Sequence, residues 1–126
     1  MTLTEIFSIL FIHWIGDFIL QTDYDAKNKS TKIHSLLNHT LTYSVFIFFS
    51  MGILNAYLQG SGESNFWFCL IFTLITFACH TITDYYTSRL NKYLWEKGDV
   101  HNFFVSVGGD QILHYIQLFS LYYYLK

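Results

Sequence analysis

The stretch FWFCLIFTLITFACHTITDYY, residues 66–86, decides how the rest of the chain is read. It carries no Lys, Arg or Glu, and as a helix its 21 residues would run about 31 Å, the thickness of a bilayer's hydrocarbon layer. Yet its last third holds His80 and Asp84, four residues apart and so stacked on one helix face. A span of this kind predicts a membrane helix with a polar face turned away from lipid.

Three further apolar blocks flank it, at about 2–20, 36–58 and 103–125. Across the 126 residues, 52% are hydrophobic, 21% aromatic and only 13% charged, well below the quarter or so of charged residues in soluble domains. These features predict one integral membrane domain over residues 1–126, an all-α bundle of four transmembrane helices. The mean hydropathy of +0.31 is modest because Thr, Ser, Asn, His and Asp interrupt every block, which requires a polar bundle interior. The first block has no basic n-region, carries Glu5 and lacks a small-residue cleavage site, so it is expected to stay in the mature protein. Cys69 and Cys79 are ten residues apart on one helix, too far for a disulfide.

Lys27, Lys29, Lys32, Arg89, Lys92 and Lys97 fall between blocks one and two or between three and four, leaving only Lys126 elsewhere. The positive-inside rule then places both basic connections in the cytoplasm, and both termini and the Gly60 connection outside. Net charge is −2 with no basic tract, which argues against nucleic acid as a partner. The chain lacks proline, so nothing obvious kinks the helices. HWIGD (13–17) with SLLNH (35–39) echoes HTITD (80–84) with DQILH (110–114), as two similar helical hairpins would.

The chemistry lies in these motifs. His13 with Asp17, His80 with Asp84, and Asp110 with His114 are i,i+4 pairs; the order reverses in the last, where the helix runs the opposite way. Each aspartate therefore falls on the cytoplasmic side with its histidine one turn deeper, and His39 reaches a similar depth. Four histidines and three aspartates form one layer. Alone, a transmembrane histidine is more often a helix-helix hydrogen-bonding residue than a ligand; three pairs ordered consistently by depth favour ligation. No Lys or Arg lies inside the blocks to offset the carboxylates. The donor set suits one or two divalent transition metal ions, zinc first, with iron or manganese as alternatives. His34 and His101, near the expected membrane borders, read as interfacial or capping residues. Gly16, Gly108 and Gly109 would let backbones approach closely around the layer. Gln21, Asp23, Asn28 and Lys29 would line a mouth or form a solvated loop.

HWIGDFILQTDYDAKNK (13–29), LLNHTLTYS (36–44), HTITDYYTSRL (80–90) and DQILHYIQL (110–118) carry a family resemblance. The chain resembles small phage and bacterial membrane proteins grouped as domains of unknown function, related to the YdjM-like membrane-bound metal-dependent hydrolases. Members read H..ADF.LQ...MA..K at the first motif; here Gly16 stands for a common small residue and Tyr24 and Asp25 for a bulkier pair, and no proposed ligand changes. The resemblance implies a multi-pass protein of a bacterial, or infected host's, inner membrane.

Three functions compete. A metal-dependent hydrolase would act on a lipid or another phosphate or acyl ester entering from the cytoplasm or the membrane, with Asp17, near the mouth and beside Gly16, as catalytic base. Neither G-x-S-x-G nor a Cys/His arrangement offers a competing nucleophile. A metal or proton carrier is disfavoured because the outer half shows only Ser, Thr and Asn. The third is a non-enzymatic membrane protein, with metal as a structural staple, that binds host membrane partners. Membrane lipid is the expected surrounding, and a homo-oligomer is compatible with all three.

Overall fold

The computed structural model describes residues 1–59 and 65–126, and among them the secondary structure is entirely helical. The helices are α1 (Leu3–Trp14), α2 (Asp23–Asn28), α3 (Ile33–Gln59), α4 (Phe66–Glu96) and α5 (Val100–Leu125), with a π-helical turn at Ile15–Ile19 directly after α1. The expected Gly60 connection lies outside the described residues.

Local chemistry sets the helix starts. Thr2 and Glu5 form a capping box: the Thr2 hydroxyl accepts from the Glu5 N–H at 3.3 Å and the Glu5 carboxylate from the Thr2 N–H at 2.7 Å. Thr22 caps α2, Asn65 caps α4 and Asp99 caps α5, each accepting from the N–H three residues on. The stop of α4 is ten residues beyond the expected one at 86. Residues 87–96 are polar enough to leave an apolar layer, but they contain no Gly or Pro and include the strong helix formers Arg89, Leu90, Lys92, Leu94 and Glu96, so the helix runs to Glu96 and closes at Gly98, whose φ is +77°. There Gly98 N–H donates to Trp95 O and Asp99 N–H to Leu94 O, both at 3.0 Å, a Schellman closure. The connection expected over 87–102 shrinks to Lys97–Asp99.

The first block departs most from expectation. Instead of one helix over 2–20 it is a 12-residue α-helix followed by the π turn, closed by Leu20 N–H to Ile15 O at 3.0 Å. Of the four expected spans, α3 (Ile33–Leu58) and α4 are long and apolar enough to cross a membrane. The break in the first block and the polar Asp110, Gln111, His114 and Gln117 along α5 weaken the same signal in the other two.

α1 and α4 each pack against both α3 and α5, so the four longer helices form a ring, with α2 tucked against α3. Toward the chain termini the ring is filled by Ile9, Ile47, Met51, Phe72 and Leu118. Toward α2 it is filled by His13, Asp17, His39, His80, Asp84 and His114, all buried. Meanwhile Phe49, Ile53, Leu74 and Ile116 are 59–73% exposed, so the burial pattern is inverted relative to a water-soluble protein.

Candidate metal centre

Each helix of the ring delivers donors to one level. α1 brings His13 in its last turn, the π turn Asp17, α3 His39 in its second turn, α4 His80 and Asp84, and α5 Asp110 and His114. The π turn adds a residue to the helical repeat at the point where Asp17 must face inward. His39 Nε2 lies 3.1 Å from Asp17 Oδ1 and 3.3 Å from Asp84 Oδ2. His80 Nε2 lies 3.3 Å from Asp17 Oδ1, 3.6 Å from Asp84 Oδ1 and 3.3 Å from His39 Nε2. His114 Nε2 is 3.1 Å from Asp84 Oδ1 and 3.4 Å from Asp110 Oδ1. All seven residues singled out in the sequence meet here.

Among the described residues two groups have the spacing of a metal site: Asp17, His39, His80 and Asp84, and Asp17, Asp110 and His114, the donor atoms of each lying within 4.8 Å of one another. A tetrahedral ion with bonds of about 2.0–2.1 Å separates its donors by roughly 3.3–3.4 Å. The five histidine-to-aspartate and histidine-to-histidine distances within the first group run from 3.1 to 3.6 Å, with His39 facing Asp84 Oδ2 and His80 facing Asp84 Oδ1. This buried cluster could hold a metal ion.

His13 belongs to neither group. Its Nδ1 is 2.7 Å from the Tyr43 hydroxyl and its Nε2 is 3.0 Å from Gln111 Oε1. Because a side-chain carbonyl only accepts, Nε2 carries the hydrogen and Nδ1 accepts from Tyr43. The Gln111 amide nitrogen in turn donates to Asp17 Oδ2 at 3.0 Å and Asp110 Oδ2 at 3.2 Å. Tyr43, His13 and Gln111 thus form a relay that orients two carboxylates, the kind of support that fixes ligands in metal sites. The Tyr43 ring also stacks on His80, whose other face stacks on His114, with centroid distances of 4.1 and 4.2 Å.

A cation from outside the apolar blocks, one of the expected mouth residues, reaches the layer. Lys29, just past α2, places Nζ 2.7 Å from Asp84 Oδ2. Burial alone would lower its pKa, but Asp84, then Asp17 and Asp110, hold it above the ordinary lysine value. Three carboxylates against one ammonium leave the layer net negative while its histidines are neutral, which favours a further cation there. α2 is anchored by Asp25, buried and accepting from Thr22 Oγ1 at 2.8 Å and Asn38 Nδ2 at 2.6 Å. Of the other expected mouth residues, Asp23 is exposed and Asn28 donates to the Tyr24 carbonyl.

Other expectations are corrected. Gly16 does allow the expected close packing, since a Cβ there would lie 2.8 Å from Tyr43 Cδ2, and the same contact leaves no room beside Asp17 for an incoming group. Nothing approaches within 4 Å of such an atom at Gly108 or Gly109, so they do not mediate close packing. The terminal half is not free of charge either, since buried Glu5 accepts from Tyr122 Oη at 3.1 Å and pairs with Lys126. His34 and His101 are exposed, each at the second position of its helix. Gln111, Tyr43 and Thr87, which donates to Asp110 Oδ1 at 2.6 Å, belong to the site without having been expected there. Only Gln111, an amide beside Asp110 in an apolar block, left a signal in the sequence.

The family model described as "Protein of unknown function (DUF3307)" matches residues 6–126. That match links the chain to no activity, and the expected kinship with YdjM-like hydrolases finds no support in it. No curated protein and no solved structure matches the chain.

Proposed function

We propose that this chain, which belongs to the DUF3307 family, is a four-span protein of a bacterial inner membrane that hydrolyses a phosphate or acyl ester of a lipid at a divalent metal centre. The inverted burial supports the membrane reading: apolar side chains of all four long helices face outward while carboxylates and imidazoles face in. The donor spacing of Asp17, His39, His80 and Asp84 carries the metal reading, and a two-nitrogen, two-oxygen tetrahedral set favours zinc. The six basic residues between the blocks orient the α2 end toward the cytoplasm.

In this reading Asp17, His39, His80 and Asp84 would hold the ion, which would supply Lewis acidity to water or to the ester's phosphoryl or acyl oxygen by taking it as a fifth ligand. We assign the base to Asp110 instead of Asp17, because its side chain is 12% exposed against 5% for Asp17 and 2% for Asp84. Thr87 and Gln111 hold its carboxylate toward the centre. Asp110 takes a proton from the attacking water as the new bond to phosphorus or carbon forms. His114, between Asp110 and Asp84, returns a proton to the departing oxygen. The test is turnover by detergent-purified protein of phosphate-ester and acyl-ester lipids, with and without a chelator. Chelator-sensitive release of one headgroup or acyl class is the expected result, and no release across both classes refutes the assignment.

One observation favours a second reading. The first donor group has four members, enough to close a tetrahedral ion completely, and a closed site is the mark of a structural staple. A staple would leave Asp110 without consequence for any reaction.

A further inference from the structure

On the cytoplasmic side of the donor layer, a pocket of about 610 Å³ opens between α2 and the joined ends of α4 and α5. Lys27, Lys29 and Lys92 line it, and none of its lining residues is acidic. Two of its lysines also meet carboxylates: Lys29 meets Asp84, and Lys92 meets Glu96 at 3.6 Å on the exposed surface. Two polar groups in the wall lack partners among the described residues. Ser88 is 8% exposed and its Oγ is unpaired, and Asn91 Oδ1 is unpaired as well. A hydroxyl can donate, and a half-turn of the Asn91 amide would present its NH₂. Unpaired buried polar groups are costly, so a wall carrying two of them beside three ammonium groups is built for an acceptor-rich anion.

The rest of the wall is apolar. Trp95 and Phe103 meet edge to face with centroids 5.1 Å apart, and Phe104 stands beside them, with Trp95 and Phe104 exposed on the outside. Aromatic side chains at this level, where basic residues begin, mark the boundary between headgroups and acyl chains. Ser88 follows Asp84 by four residues on α4, so pocket and donor layer share one helix face about 6 Å apart. Lys29 belongs to both.

From these observations we infer that the pocket binds the phosphate group of an anionic amphiphile, with Lys27, Lys92 and Ser88 on the phosphate and the Trp95–Phe103 wall against the chain that follows it. This names the substrate class of the reading above, and rests on that reading for the membrane setting. The volume falls within the range of small-molecule sites and accommodates a headgroup with the first part of its tail.

The test measures binding, so it stands apart from turnover. Full-length protein in detergent is titrated with phosphatidic acid, phosphatidylcholine, glycerol 3-phosphate and inorganic phosphate, and retention is read by native mass spectrometry. Phosphatidic acid should be retained at least about tenfold more tightly than phosphatidylcholine, and Lys27→Ala with Lys92→Ala, or Ser88→Ala alone, should weaken it about tenfold, the loss of a charge-assisted hydrogen bond. Metal content of these variants should stay at the wild-type level, which separates loss of the pocket from loss of the centre. Equal retention of both lipids, or variants that bind as wild type, overturns the proposal. Inorganic phosphate or glycerol 3-phosphate binding as tightly as phosphatidic acid overturns the amphiphile and leaves a free-phosphate site. Lipid retention without any turnover would sink the hydrolase and leave this site standing.

Discussion

His39 and His80, on neighbouring helices, bring their Nε2 atoms within 3.3 Å of each other and aim both at one oxygen, Asp17 Oδ1, at 3.1 and 3.3 Å. Hydrogen bonds alone satisfy such a triangle poorly. If both nitrogens donate to the carboxylate, two N–H groups crowd each other; if one donates to the other, the acceptor has no hydrogen left for Asp17. An ion taking a lone pair from each atom would remove the conflict, and Asp84 could supply a fourth donor.

Substitution at the centre should separate holding the ion from using it. Asp84→Asn should lose bound metal, because Asp84 faces His39, His80 and His114 at 3.1–3.6 Å. Asp110→Asn should keep metal near the wild-type level and lower turnover of the lipid ester by 10²-fold or more, roughly the contribution of a general base. Metal content and initial rates on the same preparations decide it; an Asp110→Asn protein that keeps its rate places the base on another residue.

Glycine positions offer a stability test. At Gly16 an added methyl would meet Tyr43 at 2.8 and 3.0 Å and Phe46 at 3.2 Å. Tyr43 is fully buried and hydrogen-bonded to His13, so it cannot yield freely. Gly16→Ala should cost about 1–3 kcal/mol. Gly109→Ala meets nothing within 4 Å and should be neutral or stabilising by up to about 1 kcal/mol through helix propensity. Thermal unfolding in detergent should rank them in that order, and equal melting temperatures would contradict the packing described.

Much of this was legible in the sequence because it is periodic. Three i,i+4 His/Asp pairs, reversed in order on the helix that runs the other way, together with the depth of His39 on its own helix, were enough to place seven residues at one level. What stayed hidden follows from geometry that spacing does not encode. The π turn at Ile15–Ile19 has no compositional mark, and residues 87–96 continue a helix that hydropathy alone would have ended at 86. Lys29 lies 55 positions from Asp84 and reaches it only because α2 folds back against α3. His13 looked equivalent to the other histidines; Tyr43 and Gln111 turn it toward support of the aspartates.

Orientation can be checked independently. Lys97, beyond α4, should be cytoplasmic, and Lys126, paired with Glu5 at the other end of the ring, should not. In intact cells a membrane-impermeant thiol reagent should label Lys126→Cys and spare Lys97→Cys in a Cys69→Ser, Cys79→Ser background. The reverse pattern would place the donor layer and its pocket toward the outside.

Elemental analysis of the purified protein tests the metal centre most directly. Wild-type protein extracted in mild detergent, without added metal, should carry about one divalent transition metal ion per chain, zinc foremost, as expected for a four-donor tetrahedral site. His80→Ala and Asp84→Ala should carry almost none while circular dichroism still reports a helical fold. Wild-type protein that is fully helical, hydrolyses its lipid ester and contains no metal would contradict the account.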